Sequence, residues 1–222
     1  MNPGEEGSRS VVDRIGRFGV VPVVELPTLE LAVPLLTAFS RAGLGVVEVT
    51  LRTEAGIAAI NALRSAFPDQ LVGAGTVRNT LDAERAIDAG AQFVVSPSTN
   101  PDVIALCRAV GVPALPGACT PSEVDLAMRC GASAVKFFPA EAAGGVAYLK
   151  ALAAPYPEVR FIPTGGISPG NLADYLRQSS VLACGGTWLA SPEALLEGRF
   201  ERIEELAREA LDMVAAVRGE AR

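Results

Sequence analysis

The chain has 222 residues, half of them apolar and a fifth charged, a composition that favours a packed globular core in one larger domain or two small ones. Its net charge of −6 argues against a nucleic-acid-binding protein, although a local cluster of donors can still bind a small anion. The sequence contains no histidine, which excludes Ser-His-Asp and Cys-His catalysis and histidine metal sites. Acid–base chemistry must therefore use Asp, Glu, Lys, Tyr, Cys or water.

The first ten residues, MNPGEEGSRS, lack the apolar core of a secretory signal. We expect them to form a flexible N-terminal tail over residues 1–10, followed by a single domain over 11–222. No apolar run reaches the roughly 18 residues of a membrane span. The cysteines contain no C-x-x-C pair, and we expect free thiols in a reducing compartment. These features predict a cytoplasmic protein without a membrane or nucleic-acid partner.

Eight short apolar runs alternate with longer segments of helical periodicity. In chain order the predicted strands are 19–26, 45–51, 71–77, 92–97, 113–117, 133–139, 159–166 and 181–186. Alternating strands and helices indicate a parallel sheet, and eight such units in about 200 residues predict a (β/α)8 TIM barrel. An open doubly wound sheet is the main alternative. It is disfavoured because neither a G-x-G-x-x-G turn nor a P-loop is present.

A weak internal repeat places two charges at equivalent points of the second and sixth strands. Helices are predicted to end at Gly43, Gly90 and Gly131, where glycine suits a left-handed cap. Glu48 and Lys136 each follow such a glycine by five residues. Side chains alternate along a strand, and inward layers of a barrel come from alternate strands. The register therefore predicts that both charges point into the barrel and share a layer.

Lys136 lies in AVKFFP, a run that otherwise predicts a buried strand, and it is one of only two lysines, with Lys150. One interpretation is an ion pair with Glu48. The other is catalytic: an apolar site favours the neutral amine, which is a nucleophile toward a ketone and forms a Schiff base. The two interpretations are compatible, because a nearby carboxylate can hold the amine and later move protons.

The ends of the neighbouring strands carry groups that suit an anionic substrate. Arg52 follows the second strand and offers a planar donor fork that matches a carboxylate, although a surface or helix-cap role is the alternative. Thr76 follows Gly73 and Gly75, which would let a ligand approach the backbone; alone, it is better explained as a β-branched strand end. Gly-Gly pairs close the seventh and eighth strands, where barrels of this type commonly bind phosphate. Simple turn glycines are the alternative there.

Several motifs, in this order and spacing, resemble the class I 2-keto-3-deoxy-6-phosphogluconate aldolases, a family that overlaps with the 4-hydroxy-2-oxoglutarate aldolases. They are VVEVTLRT, VGAGTV, AGAQFVVSP, AVKFFPAE, FIPTGGIS and GGTWLA, and the resemblance covers about residues 18–210. It implies a (β/α)8 barrel, commonly a homotrimer, that uses neither a metal nor an organic cofactor and acts on a small keto-acid phosphate.

The resemblance also implies roles for particular residues. Lys136 would be the Schiff-base lysine and Glu48 the general acid–base residue. The remaining implied contacts are Arg52 and Thr76 to the pyruvyl portion, Pro97 and Phe138 lining that pocket, and Gly165, Gly166, Gly186 and Thr187 at the phosphate. The chain departs from the family pattern at Thr187, which is often serine, and at the end of the first strand, where some relatives carry arginine.

A Schiff-base lysine can react with more than one keto acid. The resemblance implies cleavage of 2-keto-3-deoxy-6-phosphogluconate to pyruvate and glyceraldehyde 3-phosphate. The galactonate epimer and 4-hydroxy-2-oxoglutarate are alternatives that the motifs do not separate. A non-catalytic anion-binding barrel and a barrel isomerase or synthase are more remote, since neither has a use for Glu48, Arg52 and Lys136 in one layer.

Overall fold

The structure, a computed structural model, describes residues 3–219 and forms a single-domain (β/α)8 barrel, which confirms the predicted fold class. Every paired strand runs parallel to its neighbours, and helices separate successive barrel strands. The strands are β1 (Val20–Val24), β2 (Val46–Thr50), β3 (Leu71–Gly75), β4 (Val94–Val95), β5 (Ala114–Leu115), β6 (Gly117–Ala118), β7 (Val135–Phe137), β8 (Phe161–Pro163) and β9 (Cys184–Gly186).

The barrel closes through two runs of hydrogen-bonded strands. One run has the order β5-β4-β3-β2-β1-β9 and the other β6-β7-β8. Parallel bridges, including one from Thr164 to Gly185, join β8 to the eighth barrel strand. The predicted fifth strand is divided into β5 and β6 at Pro116, because proline has no N–H to donate to the ladder. The Pro116 carbonyl still accepts a hydrogen bond from the Lys136 N–H, at 2.9 Å.

The helices cover the outside of the barrel, and the predicted glycine stops are confirmed. Gly43, Gly90 and Gly131 have φ values of 88°, 97° and 90°, a conformation that favours glycine. The described α-helices are α1 (Pro3–Phe18), α2 (Ala32–Ala42), α3 (Ala55–Ala66), α4 (Thr80–Asp88), α5 (Pro101–Ala109), α6 (Pro121–Arg129), α7 (Gly145–Ala153), α8 (Leu172–Leu176), α9 (Pro192–Leu196) and α10 (Phe200–Arg218). Within residues 3–219, no helix combines the length and apolar character needed to cross a membrane.

The N-terminal segment differs from the sequence expectation. Residues 3–10, expected in a flexible tail, form the first part of α1, and residues 1–2 lie outside the described part of the chain. Proline suits the first turn of a helix, and the following turns bury Val12 and Ile15. The end of α1 is held by Arg218, whose Nη1 donates to the Gly16 carbonyl at 2.7 Å. Polar composition alone concealed this continuation of the helix.

Candidate active site

Two oppositely charged side chains meet inside the barrel. Glu48 lies in the middle of β2 and Lys136 in the middle of β7, with exposed fractions of only 4% and 6%. The Lys136 Nζ donates to Glu48 Oε1 at 3.3 Å. The prediction that both point inward and share a layer is therefore confirmed. A buried amine in contact with a carboxyl group is consistent with both the ion-pair and the catalytic interpretation.

The neighbouring strand is shaped around the Glu48 carboxylate. A Cβ added at Gly75 would lie 2.3 Å from Glu48 Oε1, so the absence of a side chain on β3 makes room for the acid. Gly73, the register partner of Glu48, leaves space for the Phe93 ring in the same way. The glycines of VGAGTV thus have a packing function: they let the carboxylate lie over β3.

Glu48 and Lys136 line a cavity of about 220 Å³ at the C-terminal ends of the strands. This is the end at which barrels of this type carry ligand sites. The lining residues are Val23, Glu48, Arg52, Thr76, Pro97, Lys136, Phe138, Thr164, Gly165, Gly166, Ile167, Gly185 and Thr187. The structure therefore brings together all of the predicted site residues except Gly186.

Arg52 and Thr76 stand on one side of this cavity. Arg52 Nη1 lies 3.5 Å from Glu25 Oε2, an ion pair that holds the guanidinium beside the mouth. Thr76 has a φ of 61°, an uncommon conformation for a β-branched residue, and it directly follows β3. A guanidinium and a strained backbone turn beside one cavity form a suitable arrangement for a carboxylate.

Apolar groups form the wall around the amine. The Phe138 ring centroid lies 5.4 Å from the Lys136 Nζ. Pro97 completes the wall, and Gly117 permits its close approach, since a Cβ there would lie 2.2 Å from the Pro97 carbonyl oxygen. The amine therefore lies between the Glu48 carboxylate on one side and apolar groups on the other.

The other end of the cavity is built from glycine and a hydroxyl. Gly165 and Gly166 have φ values of 98° and 82°, and Thr187 follows β9. Gly186 departs from the prediction. A Cβ there would lie 1.7 Å from the ring of Trp188, so this residue faces that ring, and Gly185 takes its place in the lining. Strand alternation explains the exchange, because adjacent residues point to opposite faces.

Glu141 and Tyr175 pack behind the loop that carries Gly165 and Gly166. Glu141 N–H donates to the Gly165 carbonyl at 3.0 Å, and a Cβ on Gly166 would lie 2.6 Å from Glu141 Cβ. The Tyr175 hydroxyl donates to Glu141 Oε1. Burial, followed by the neighbouring Glu141 carboxylate, raises the pKa of Tyr175 above its ordinary value. This contact directs the carboxylate toward the tyrosine.

Three further residues line the cavity but were not predicted from the sequence: Val23, Thr164 and Ile167. Two of them could have been found from strand pairing. Val23 is the register partner of Glu48, and Thr164 follows Ile162, the partner of Lys136, by two residues. Register partners point to the same face of a sheet, so both should face the interior. The sequence contained no comparable signal for Ile167.

Comparisons with known proteins agree with this geometry. A family model described as KDPG and KHG aldolase, where KDPG is 2-keto-3-deoxy-6-phosphogluconate and KHG is 4-hydroxy-2-oxoglutarate, matches residues 11–206. A 2-dehydro-3-deoxy-phosphogluconate aldolase of Treponema pallidum is 45% identical, covering 94% of this chain and 99% of the relative. A KHG/KDPG aldolase of Escherichia coli is 47% identical, covering 87% of this chain and 91% of the relative.

A solved structure extends the agreement to the fold. The KDPG aldolase of Legionella pneumophila superposes with a TM-score of 0.85 at 36% identity, covering 94% of this chain and 97% of that one. That protein was crystallised with pyruvate captured as a covalent carbinolamine intermediate. The similarity covers the whole barrel rather than a shared motif.

Proposed function

Because this chain belongs to the KDPG and KHG aldolase family, we propose that it is a class I aldolase that cleaves 2-keto-3-deoxy-6-phosphogluconate to pyruvate and glyceraldehyde 3-phosphate. One observation carries the assignment to residues. The Lys136 amine lies 3.3 Å from the Glu48 carboxylate, and both line one cavity with Arg52 and Thr76. Amine, carboxylate and carboxylate-binding groups are the parts that Schiff-base aldol cleavage needs.

The proposed reaction begins at the amine. Neutral Lys136 attacks the C2 ketone, and the carbinolamine loses water to give an iminium. Glu48, through a bound water, carries the protons of these steps. Glu48 then removes the proton of the C4 hydroxyl, the C3–C4 electron pair moves into the iminium, and glyceraldehyde 3-phosphate leaves. Protonation of the resulting enamine and hydrolysis release pyruvate and regenerate the lysine.

The remaining residues would bind and orient the substrate. Arg52 and Thr76 would hold the carboxylate, and such positioning lowers the barrier because the ketone is kept near the amine. The apolar wall of Pro97 and Phe138 would surround the pyruvyl carbons. Backbone N–H groups suit a phosphate, and the proposed donors lie at Gly165, Gly166 and Thr187, with the Thr187 hydroxyl beside them.

A second substrate is favoured by the lining of the cavity. Of the described residues that line it, the cations are Arg52 and Lys136, both assigned to the keto-acid end, while Val23 stands at the end of β1. The end of the cavity proposed to bind the phosphate therefore has no cation of its own. Such a site would discriminate weakly between a phosphate and a carboxylate. We therefore propose 4-hydroxy-2-oxoglutarate, which would yield glyoxylate, as an alternative substrate. A relative named KHG/KDPG aldolase supports it.

A substrate panel tests both proposals. Pyruvate release would be followed with 2-keto-3-deoxy-6-phosphogluconate, its C4 epimer and 4-hydroxy-2-oxoglutarate, and kcat/KM compared among them. We expect the phosphogluconate derivative to have the highest value and 4-hydroxy-2-oxoglutarate to be cleaved measurably. Absence of pyruvate from all three would contradict the aldolase assignment.

We also propose an oligomeric state and a cellular compartment for the enzyme. The family resemblance supports a homotrimer. The cysteines, Cys107, Cys119, Cys130 and Cys184, are free, which supports a reducing compartment such as the cytoplasm. Size-exclusion chromatography with light scattering would test the trimer.

A further inference from the structure

The loop after β8 that carries Gly165 and Gly166 is held by hydrogen bonds on its side away from the cavity. The Gly165 carbonyl accepts from the Glu141 N–H at 3.0 Å, and the Gly166 carbonyl accepts from Asn171 Nδ2 at 3.0 Å. Both glycines line the cavity, whereas Glu141 and Asn171 are not among the described residues that line it. The two carbonyls therefore point away from the cavity.

The direction of these carbonyls fixes the direction of two N–H groups. A trans peptide group is planar, so its N–H points opposite to its C=O. The Gly166 N–H shares a peptide group with the Gly165 carbonyl, and the Ile167 N–H shares one with the Gly166 carbonyl. Both N–H groups consequently face the cavity, which Ile167 also lines. Successive backbone donors that face one space are suited to binding an anion.

The two peptide groups are held in different ways. The donor to the Gly165 carbonyl is a backbone N–H, which any residue except proline would supply at position 141. The donor to the Gly166 carbonyl is a single side-chain amide, and Asn171 Oδ1 also accepts from the Ser168 N–H at 2.8 Å. This second contact turns the Ile167 carbonyl toward the cavity side, which limits the pair of donors to Gly166 and Ile167.

Asn171 makes these contacts instead of the one that is usual at its position. It is the N-cap of α8, where asparagine commonly accepts from the first turn of its own helix. Asn79 and Asn100 do so at α4 and α5. Within residues 3–219, the Asn171 side chain makes no such cap bond and is directed back to the loop. Its contacts therefore orient the loop rather than cap the helix.

We propose that Asn171 is a positioning residue for the distal anionic group of the substrate: it turns the Ile167 N–H, beside that of Gly166, toward the phosphate. This inference rests on the proposed aldolase function. It explains how an end of the cavity with no cation of its own would bind an anion. Asn171 itself does not touch the substrate. Without its amide, the Gly166–Ile167 peptide group is free to rotate and to present its carbonyl oxygen to the phosphate.

Asn171→Ala tests the proposal, because it removes both contacts without adding charge. One readout is kcat/KM for cleavage of 2-keto-3-deoxy-6-phosphogluconate. The other is the rate at which the methyl protons of pyruvate exchange in heavy water, which needs the Schiff base but no phosphate. We expect kcat/KM to fall about 10–100-fold, as for a lost hydrogen bond to a charged group, and exchange to change less than about twofold.

Asn100→Ala is the matched control. Asn100 also accepts from a backbone N–H and donates from Nδ2 to a carbonyl, that of Arg78, at 3.1 Å. Neither Asn100 nor Arg78 is among the described residues that line the cavity. The control variant therefore loses the same kinds of contact, and both readouts should stay near their wild-type values.

Asn171→Asp separates the two contacts of the amide, and it carries the test if the alanine variant does not fold. Aspartate keeps the acceptor for the Ser168 N–H and is as good an N-cap as asparagine, but it has no donor for the Gly166 carbonyl. We expect cleavage to be impaired at least as much as in Asn171→Ala, with exchange retained. Wild-type kcat/KM in Asn171→Asp would overturn the proposal, because the contact with Ser168 would then suffice.

Two further outcomes would also overturn the role of Asn171. One is wild-type kcat/KM in Asn171→Ala. The other is an equal loss of cleavage and exchange in that variant, which would indicate a general effect on structure. Failure of the proposed function is a separate result: the wild-type protein would then neither cleave the substrate nor form a borohydride-trapped pyruvate adduct.

Discussion

Lys136 Nζ and Glu48 Oε1 lie 3.3 Å apart inside the barrel, although 88 residues separate them along the chain. The contact exists because the second and sixth barrel strands face each other and both residues point inward. An ion pair this deeply buried contributes little net stability, since desolvation of both charges offsets their attraction. Its presence in a largely apolar interior is better explained by chemistry.

Glu48→Gln tests the acid–base role. The amide keeps the shape of the side chain but cannot accept a proton, so kcat should fall by about 10²–10⁴-fold. Steady-state pyruvate release measures it. Glu201 is exposed on α10, so Glu201→Gln is the matched control and should behave like the wild-type protein. A Glu48→Gln variant within threefold of wild-type kcat would remove Glu48 from the mechanism.

Arg52→Ala tests recognition of the substrate carboxylate. Loss of a charge-assisted hydrogen-bond donor should lower kcat/KM by about 10–100-fold. Arg52→Lys should recover only part of this, because lysine is a point charge rather than a planar fork. Arg85→Ala, in α4 on the surface, is the control. Equal kinetics for the Arg52 and Arg85 variants would show that Arg52 serves only its ion pair with Glu25.

Gly166→Ala tests the proposed phosphate end. Its φ of 82° disfavours any side chain, and the new Cβ would lie 2.6 Å from Glu141 Cβ. The loop must shift, so KM for the phosphorylated substrate should rise about tenfold while pyruvate still forms its adduct. Gly198→Ala is matched in conformation, with a φ of 67° but open space around the Cβ. Similar KM values for both variants would place phosphate binding elsewhere.

The thiols give a prediction about pH. Burial raises the pKa of Cys107 to about 11 and that of Cys184 to about 12. Because the thiolate is the reactive form, the higher pKa makes it rare at pH 8 in the folded protein. A colorimetric thiol reagent at pH 8 should therefore titrate the half-buried Cys119 and Cys130 before the buried Cys107 and Cys184, and all four after denaturation. Cys119 should react slowly, because burial and the neighbouring Glu123 carboxylate also raise its pKa. Rapid reaction of all four in the folded state would contradict this burial.

Much of the fold followed from the sequence because the alternation of strand and helix periods is strong. The inward position of Glu48 and Lys136 was also predictable, since strand side chains alternate strictly. Their contact was not fixed by the pattern alone. The lean of Glu48 across β3 depends on Gly75 having no side chain, and that space is visible only once the strands are paired.

The differences have local causes. Pro116 divides the fifth strand, and Gly186 faces Trp188 because the eighth strand has a register that the Gly-Gly pair did not reveal. The left-handed Thr76 could not be predicted, because β-branched residues rarely adopt that conformation. Helix α1 extends through a polar segment whose composition suggested a tail.

The central claim is that the amine of Lys136 forms the Schiff base. The protein would be incubated with pyruvate and borohydride, digested, and its peptides analysed by mass spectrometry, alongside Lys136→Ala and the surface variant Lys150→Ala. We predict a reduced pyruvyl adduct on Lys136 in the wild-type and Lys150→Ala proteins, and neither adduct nor turnover in Lys136→Ala. A wild-type protein without an adduct on Lys136, or a Lys136→Ala variant that still turns over, would contradict it.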